Sequence, residues 1–385
     1  VAGDRLYGGA AAPRLMLHAH SIELDHPTSG ERLTVHAELP AVFAQWLNSG
    51  GVWLPSDVDG LIAAIERASH ARWGLAQLAE GPEPVDAFRL LHGEGDGCPG
   101  LFVDVYGDHL VAHLASEEAV AHRAAIVTAL SGLGFAGVYE KVHPRQKNEL
   151  SKGSFEALSP AHVSWGKDAP EELTIREWGV PYVVWLADGL RTGIFVDQRD
   201  NRRRIRDLAE GASVLNLFAY TCAFSIAAAA GGARMTVSVD ASKKALERGR
   251  LGFAVAGCSG ENRIIRDDAF EYLRRCQERA VERFDLVIVD PPTYSKTKRW
   301  RWKSGKDWQR LAAMAMAVTA SGGTLLLSSN DERMPAQRFR RHIHDGARQA
   351  GVHIEQMKEL RPPADFPALQ SGEPHLKCVL VRLAG

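Results

Sequence analysis

The chain has 385 residues, 45% of them hydrophobic and 24% charged, a length that predicts about two or three domains, each large enough to bury a core. Its formal net charge of -1 excludes a general positive field, so any nucleic acid must be met by local basic patches. Five scattered cysteines, Cys98, Cys222, Cys258, Cys276 and Cys378, lack metal-ligand spacing and disulfide pairing, and no apolar run nears the ~18 residues of a membrane span; a reducing cytoplasm, no metal and no membrane partner are expected.

In chain order, residues 14–37 alternate apolar and polar around His26-Pro-Thr-Ser-Gly30, which predicts a hairpin. A helix opened by Ser56 as N-cap runs to about Glu80 and ends at Gly81-Pro82. Short strands follow at Phe88–Leu91, Leu101–Tyr106 and His109–Leu114, then a helix at Ala119–Leu133 and a strand at Gly137–Lys141. A second hairpin turns at Gly179, between Leu173–Trp178 and Pro181–Leu186. This order describes a small α+β unit without a parallel sheet.

Beyond Asp188 strands and helices alternate, which predicts an α/β, doubly wound, Rossmann-like sheet. Strands are expected at Ser213–Leu217, Arg234–Asp240, Asn262–Arg266, Phe284–Asp290 and Gly323–Ser329, with late ones near His353 and at Lys377–Arg382. Helices fall at Phe224–Ala230, Lys243–Ala256, Ala269–Glu282 and Trp308–Thr319.

In such a sheet, ligands sit outside the carboxyl ends of the strands. The first of these ends, Asn216-Leu-Phe218-Ala219-Tyr220-Thr221-Cys222, lacks a Gly-x-Gly-x-x-Gly phosphate cradle but offers the small Ala219 for close approach. Asp240, followed by Ala241 and Ser242, closes the second strand, where an acid can accept two hydrogen bonds from a ribose diol. Asp268, before Ala269, closes the third and can read an adenine amino group. Asp290, with Pro291, closes the fourth. Each acid taken alone also suits a helix N-cap, and the prolines alone can be strand stops; the ordered set outlines an S-adenosyl-L-methionine site.

Basic residues alternate with tryptophan in Lys296-Thr-Lys298-Arg299-Trp300-Arg301-Trp302-Lys303, the composition that single-stranded RNA recognition favours. The same tryptophans can instead pack locally. A second patch, Arg199, Arg202, Arg203, Arg204 and Arg206, falls on a predicted helix where Asp200 and Asp207 can neutralise part of it.

The stretch Asp188-Gly-Leu-Arg-Thr-Gly-Ile-Phe-Val-Asp-Gln-Arg-Asp-Asn-Arg202, the turn at Asn216, Asp240, Asp268-Ala-Phe270 and Asp290-Pro-Pro-Thr-Tyr-Ser295 resemble bacterial large-subunit ribosomal RNA methyltransferases, class I enzymes with cytosine C5 and guanine N7 branches. The resemblance begins near residue 86, with Phe88-Arg-Leu-Leu-His-Gly-Glu-Gly-Asp-Gly-Cys-Pro-Gly-Leu101. It implies an 86–187 accessory RNA-binding domain and a 188–385 methyltransferase domain acting, as monomer or homodimer, on large-subunit (23S) ribosomal RNA or a precursor particle; the helix in residues 48–85 before them reads as a linker. It also implies that Thr192, Phe195, Asp197, Gln198 and Arg199 line the cofactor entrance. Residues 1–47, through Gly3-Asp-Arg-Leu-Tyr-Gly-Gly9, Arg14-Leu-Met-Leu-His-Ala19 and His26-Pro-Thr-Ser-Gly-Glu31, resemble the C-terminal end of RluA-type pseudouridine synthases.

The chain departs from the family at Cys222, where Gly is common. It also has no cysteine in Pro292-Thr-Tyr-Ser295 or Leu327-Ser-Ser-Asn-Asp331, where the cytosine C5 branch carries its nucleophile. Guanine N7, a lone pair without a proton, needs mainly alignment. On that reading Asp290 holds the base edge, Tyr294 stacks on it or packs the pocket, and Asn330 makes a second contact. Cytosine C5 methylation, a small-molecule methyltransferase and a non-catalytic RNA-binding protein stand as alternatives.

Overall fold

The computed structural model describes residues 1–2, 4, 12, 15–40, 43, 46–47, 53–143, 158–279, 283–296, 301–368 and 374–385. Near the amino terminus β1 (Ser21–Asp25) and β2 (Arg32–His36) pair antiparallel, Ser21 opposite His36 and Asp25 opposite Arg32. The turn is closed by the His26 ring, whose Nδ1 accepts from the amides of Thr28 and Ser29. The Gly3–Gly9 stretch of the RluA resemblance falls largely outside the described residues.

Helix α1 (Val58–Ala71) is capped by Asp57, which accepts from the Gly60 amide at 2.8 Å, and not by Ser56. A short α2 (Trp73–Leu78) follows. Strands β3 (Ala87–His92), β4 (Leu101–Tyr106), β5 (His109–Leu114), β6 (Gly137–Val142) and β7 (Trp165–Gly166) form one sheet in that order. The sheet departs from expectation in one respect: β5 and β6 run parallel, because α3 (Glu117–Ala121) and α4 (Arg123–Ser131) cross over between them. The single helix expected at 119–133 is thus two, broken at His122. In the hairpin β8 (Leu173–Glu177) and β9 (Val180–Val184), Trp178 and Gly179 both have positive φ, 52° and 80°, as a two-residue primed turn requires.

The larger sheet holds β10 (Ser213–Leu217), β11 (Met235–Asp240), β12 (Glu261–Arg266), β13 (Phe284–Val289), β16 (Thr319–Ser329), β17 (Ile354–Leu360) and β18 (Lys377–Leu383), in the spatial order β12-β11-β10-β13-β16-β18-β17. The first five are parallel and β18 is antiparallel to both its neighbours. Strand order reverses between β10 and β13, so this Rossmann-like α/β fold has its switch-point crevice beside Leu217 and Asp290.

The crossovers are α5 (Arg199–Leu208), α6 (Ala223–Ala230), α7 (Lys243–Ala256), α8 (Ala269–Glu278), α9 (Ser304–Ala317) and α10 (Ala336–Ala350); α10 has no counterpart among the expected helices. Phe339, Ile343 and Ala347 of α10 join the core at helical spacing, packed on α9, with the Phe339 ring 4.7 Å from that of Trp308. A two-stranded ribbon, β14 (Tyr294–Lys296) with β15 (Arg301–Lys303), projects after β13. Among the described residues no helix is long and apolar enough to cross a membrane.

Candidate cofactor and base site

The first βα turn is bent by three non-glycine residues in the left-handed region: Phe218 at φ 59°, Tyr220 at 51° and Cys222 at 63°. Non-glycine residues avoid this region, and such strain concentrates at functional sites. What holds the turn is its neighbours. Ala219 N donates to Val239 O at 3.0 Å, Tyr220 N to Asp240 Oδ2 at 2.9 Å, and Thr221 Oγ1 to Gly193 O at 2.6 Å. The last bond, with the Phe195 ring 5.6 Å from the Tyr220 ring, joins the 192–199 segment to the turn.

Asp240 also accepts from Ser242 N at 2.8 Å, and burial raises its pKa against these backbone bonds. Ser242 caps α7, and Ala241 O accepts from the Arg266 guanidinium at 3.4 Å. Asp268 caps α8: its Oδ1 accepts from Phe270 N and Glu271 N, and Ala269 behind it is buried. Asp240 and Asp268 therefore sit at the strand ends expected of them, and each is also a local cap.

Asp290 is half-buried, and its carboxyl is raised to about 7 by desolvation and then by the charge of Asp197, with Gln198 and Arg202 opposing the shift. The buried Gln198 side chain faces this carboxyl, and its Nε2 has no hydrogen bond of normal geometry among the described residues. His375, in the segment before β18, holds Asp197 through Nε2–Oδ2 at 3.0 Å. Pro291 is buried; past it, Thr293 Oγ1 donates to Asn330 Oδ1 at 2.9 Å, so the ends of β13 and β16 meet at these two side chains. Tyr294 is 43% exposed.

Three expected cofactor residues lie behind this wall. Asn216 is buried and donates to Ser225 Oγ at 3.0 Å, which is shared with Ser238. Thr192 bonds the Tyr106 hydroxyl at 2.9 Å, and Arg199 is spent on Asp365. Cys378 was not anticipated: from the edge-side strand β18 its Sγ lies 3.3 Å from both Ser328 Oγ and Asn201 Nδ2, a neighbourhood that only the antiparallel pairing of β18 with β16 creates.

The expected RNA surface is redrawn. Trp302 is only 2% exposed, donates to Pro292 O at 2.6 Å and lies against Trp308, Phe270 and Phe218; it is core and not a base-stacking platform. Lys296 and Arg301 lie on the ribbon, Lys303 is exposed, and Lys298, Arg299 and Trp300 lie outside the described residues. The second basic patch is largely neutralised, and mostly by distant acids: Arg199 by Asp365, Arg202 by Glu177 at 2.6 Å, and Arg203 and Arg206 by Glu83.

A Rossmann-like sheet with acids at successive strand ends and a strained first turn defines a protein built to hold a nucleoside-bearing cofactor. The profile of the S-adenosylmethionine-dependent methyltransferases matches residues 89–382. Ribosomal RNA large subunit methyltransferase I of Erwinia tasmaniensis is 32% identical over 321 residues, 82% of this chain and 78% of the relative. Its namesake from Salmonella arizonae is 33% identical, over 82% and 76%. Among solved structures, SMU.776 complexed with SAH superposes with a TM-score of 0.75 at 28% identity, covering 85% and 82% of the two chains. The chain belongs to the S-adenosylmethionine-dependent methyltransferase family, on the branch of the large-subunit ribosomal RNA methyltransferases.

S-adenosylmethionine is the cofactor of this family, and the residues fit it. Asp240 presents acceptors at the end of β11, and the half-buried Asp290 lies at the switch point.

Proposed function

We propose that this chain transfers the methyl group of S-adenosyl-L-methionine to N7 of a guanine in large-subunit ribosomal RNA. The RNA class follows the activity named in its relatives. In this reading residues 188–385 are the catalytic domain, 86–187 an accessory RNA-binding domain, 48–85 a linker, and 1–47 an RluA-like hairpin. Phe195–Gln198, the turn at Phe218–Thr221, Asp240–Ser242 and Asp268–Ala269 surround the cofactor, with Thr192, Arg199 and Asn216 bracing them from behind; Asp240 takes the ribose diol and Asp268 the adenine edge. Asp290 accepts from the base edge, Tyr294 lies on the ring and Asn330 adds a second contact.

The choice of guanine N7 rests on one observation: no cysteine is poised as a nucleophile. Cytosine C5 methylation needs a thiolate, yet burial raises the pKa of all five thiols. Cys378, the one beside Ser328, is raised further by the charges of Asp290 and Asp197. Guanine N7 needs no nucleophile and no base; it needs alignment with the methyl group and an acceptor for the ring charge that develops. Asp290 supplies the acceptor.

Nucleoside mass spectrometry of ribosomal RNA from a deletion strain tests this. Loss of 7-methylguanosine is expected; loss of 5-methylcytidine instead would transfer the nucleophile's role to Cys378.

A further inference from the structure

Cations on the described helices are mostly matched by acids. On α7, Lys244 and Arg248 share Asp188; on α8, Arg274 takes Glu271 and Glu278 while Arg275 takes Asp267; on α5 the partners are Asp365, Glu177 and Glu83. Helix α10 differs. It carries Arg338, Arg340, Arg341 and Arg348 with His342 and His344 against a single acid, Asp345. Arg340 pairs with Glu359 and Arg348 with Asp345, but Arg341 has no carboxylate partner among the described residues and Arg338 donates only to a carbonyl, Gly305 O at 3.0 Å.

Arg341, His344 and Arg348 are exposed and stand three or four residues apart, one stripe of the helix, with the exposed Arg338 one turn before Arg341. Arg338 and Arg341 crowd His342, whose pKa is lowered by burial and by these two charges. Like charges at such spacing disfavour a helix, so this face carries a cost that folding alone does not return.

Its position gives the cost a purpose. Helix α10 follows Asn330 by one short loop, and Arg338 touches Gly305, two residues past the end of the basic ribbon. Lys303 and Lys306 are exposed on the ribbon side of that contact. At 1.5 Å per residue, Arg338 to Arg348 extends the positive track about 15 Å along the helix, away from the site. Between residues 301 and 350 there are nine Lys and Arg against four Asp and Glu, in a chain whose overall charge is -1.

We infer that the Arg338–Arg341–His344–Arg348 face of α10 is an RNA-phosphate surface that seats the strand flanking the target nucleotide. This rests on the RNA substrate proposed above. Each cation that neutralises a phosphate steepens the salt dependence of binding by roughly 0.7 to 0.9 in the logarithmic slope.

The test uses the full chain, protein-free large-subunit ribosomal RNA from a deletion strain, and titrations across a series of potassium chloride concentrations. The variant R338A/R341A should bind about tenfold more weakly at moderate salt, with a slope lower by roughly 1 to 2. R274A, which removes an exposed but carboxylate-paired cation, should keep the wild-type slope. S-adenosylmethionine binding by calorimetry should be unchanged in both, which shows that they are folded. An unaltered slope in R338A/R341A, with wild-type binding clearly salt-dependent, overturns the surface and leaves the RNA substrate standing. A wild type that binds the cofactor but shows no salt-dependent RNA binding overturns both.

Discussion

Arg199 and Asp365 form a two-pronged ion pair, Nη1 to Oδ2 at 2.9 Å and Nη2 to Oδ1 at 2.7 Å, with both side chains all but sealed from solvent. Asp365 also accepts from the Arg89 amide at 2.9 Å, and its carbonyl accepts from Arg72 at 3.1 Å. One aspartate thus ties α5 to β3 and to the end of α1. Asp365→Ala strips the buried Arg199 guanidinium of both its hydrogen-bonded oxygens and leaves it only the Asp200 carboxylate, 3.4 Å from Nε, so a loss of about 3 kcal/mol is expected in urea denaturation. A loss under about 1 kcal/mol would mean that water reaches this joint.

A methyl group on Gly249 would fall 2.5 Å from Cys222 Sγ. Cys222 in the first turn is fully buried, and the bare Gly249 of α7 makes room for its sulfur. Gly249→Ala should cost about 1–3 kcal/mol, and Cys222→Gly in the same chain should recover most of it. Thermal melts of the two single variants and the double variant measure this; additive effects would deny the contact.

Asp290 gives a pH signature. Its folded pKa of about 7 lies above the value near 3.9 of an unfolded carboxyl, so between these limits the folded state keeps a proton that the unfolded chain has released. Stability from this group is full below about pH 4 and fades as pH rises through about 7. In the proposed role Asp290 acts in its ionised form, so methyl transfer is expected to rise over the same interval. Asp290→Asn should flatten both profiles, being more stable than wild type at pH 8 and at least about 100-fold slower in single turnovers. A variant that keeps a wild-type rate profile would remove Asp290 from the reaction.

Cys378→Ser should retain methyl transfer within about threefold, and no covalent protein–RNA adduct should accumulate during turnover. A loss of several orders of magnitude would make Cys378 a nucleophile and cytosine the target.

Asp240→Ala removes the acceptor for the Tyr220 and Ser242 amides together with the expected ribose contact. Calorimetry should give at least a tenfold weaker affinity for S-adenosylmethionine, about 1.4 kcal/mol or more. Unchanged affinity would place the ribose elsewhere.

The strands that end in Asp240 and Asp290 were legible because a buried parallel strand is an apolar run stopped by a polar residue, a wholly local signal. Trp302 and the arginines of α5 stay ambiguous in the sequence for the complementary reason. Interleaved Trp and Arg look the same whether they face solvent or core, and the partners that decide it, Glu83, Glu177 and Asp365, lie 25 to 166 residues away. Cys378 was invisible as a neighbour of Ser328 because an antiparallel strand brings it there across 50 residues. In α10 the six basic residues and histidines masked an apolar stripe of only three positions, Phe339, Ile343 and Ala347.

The turn at Phe218, Tyr220 and Cys222 carries three left-handed residues, each costing of order 1–2 kcal/mol relative to glycine. A glycine at any one of them would relax the backbone, yet Cys222 is fully buried and Phe218 packs against the core, so the lost contacts outweigh the relief. The bend is thus imposed by packing against the preference of its own residues, and a thermostability selection that sampled glycine in this turn would discard Phe218→Gly and Cys222→Gly.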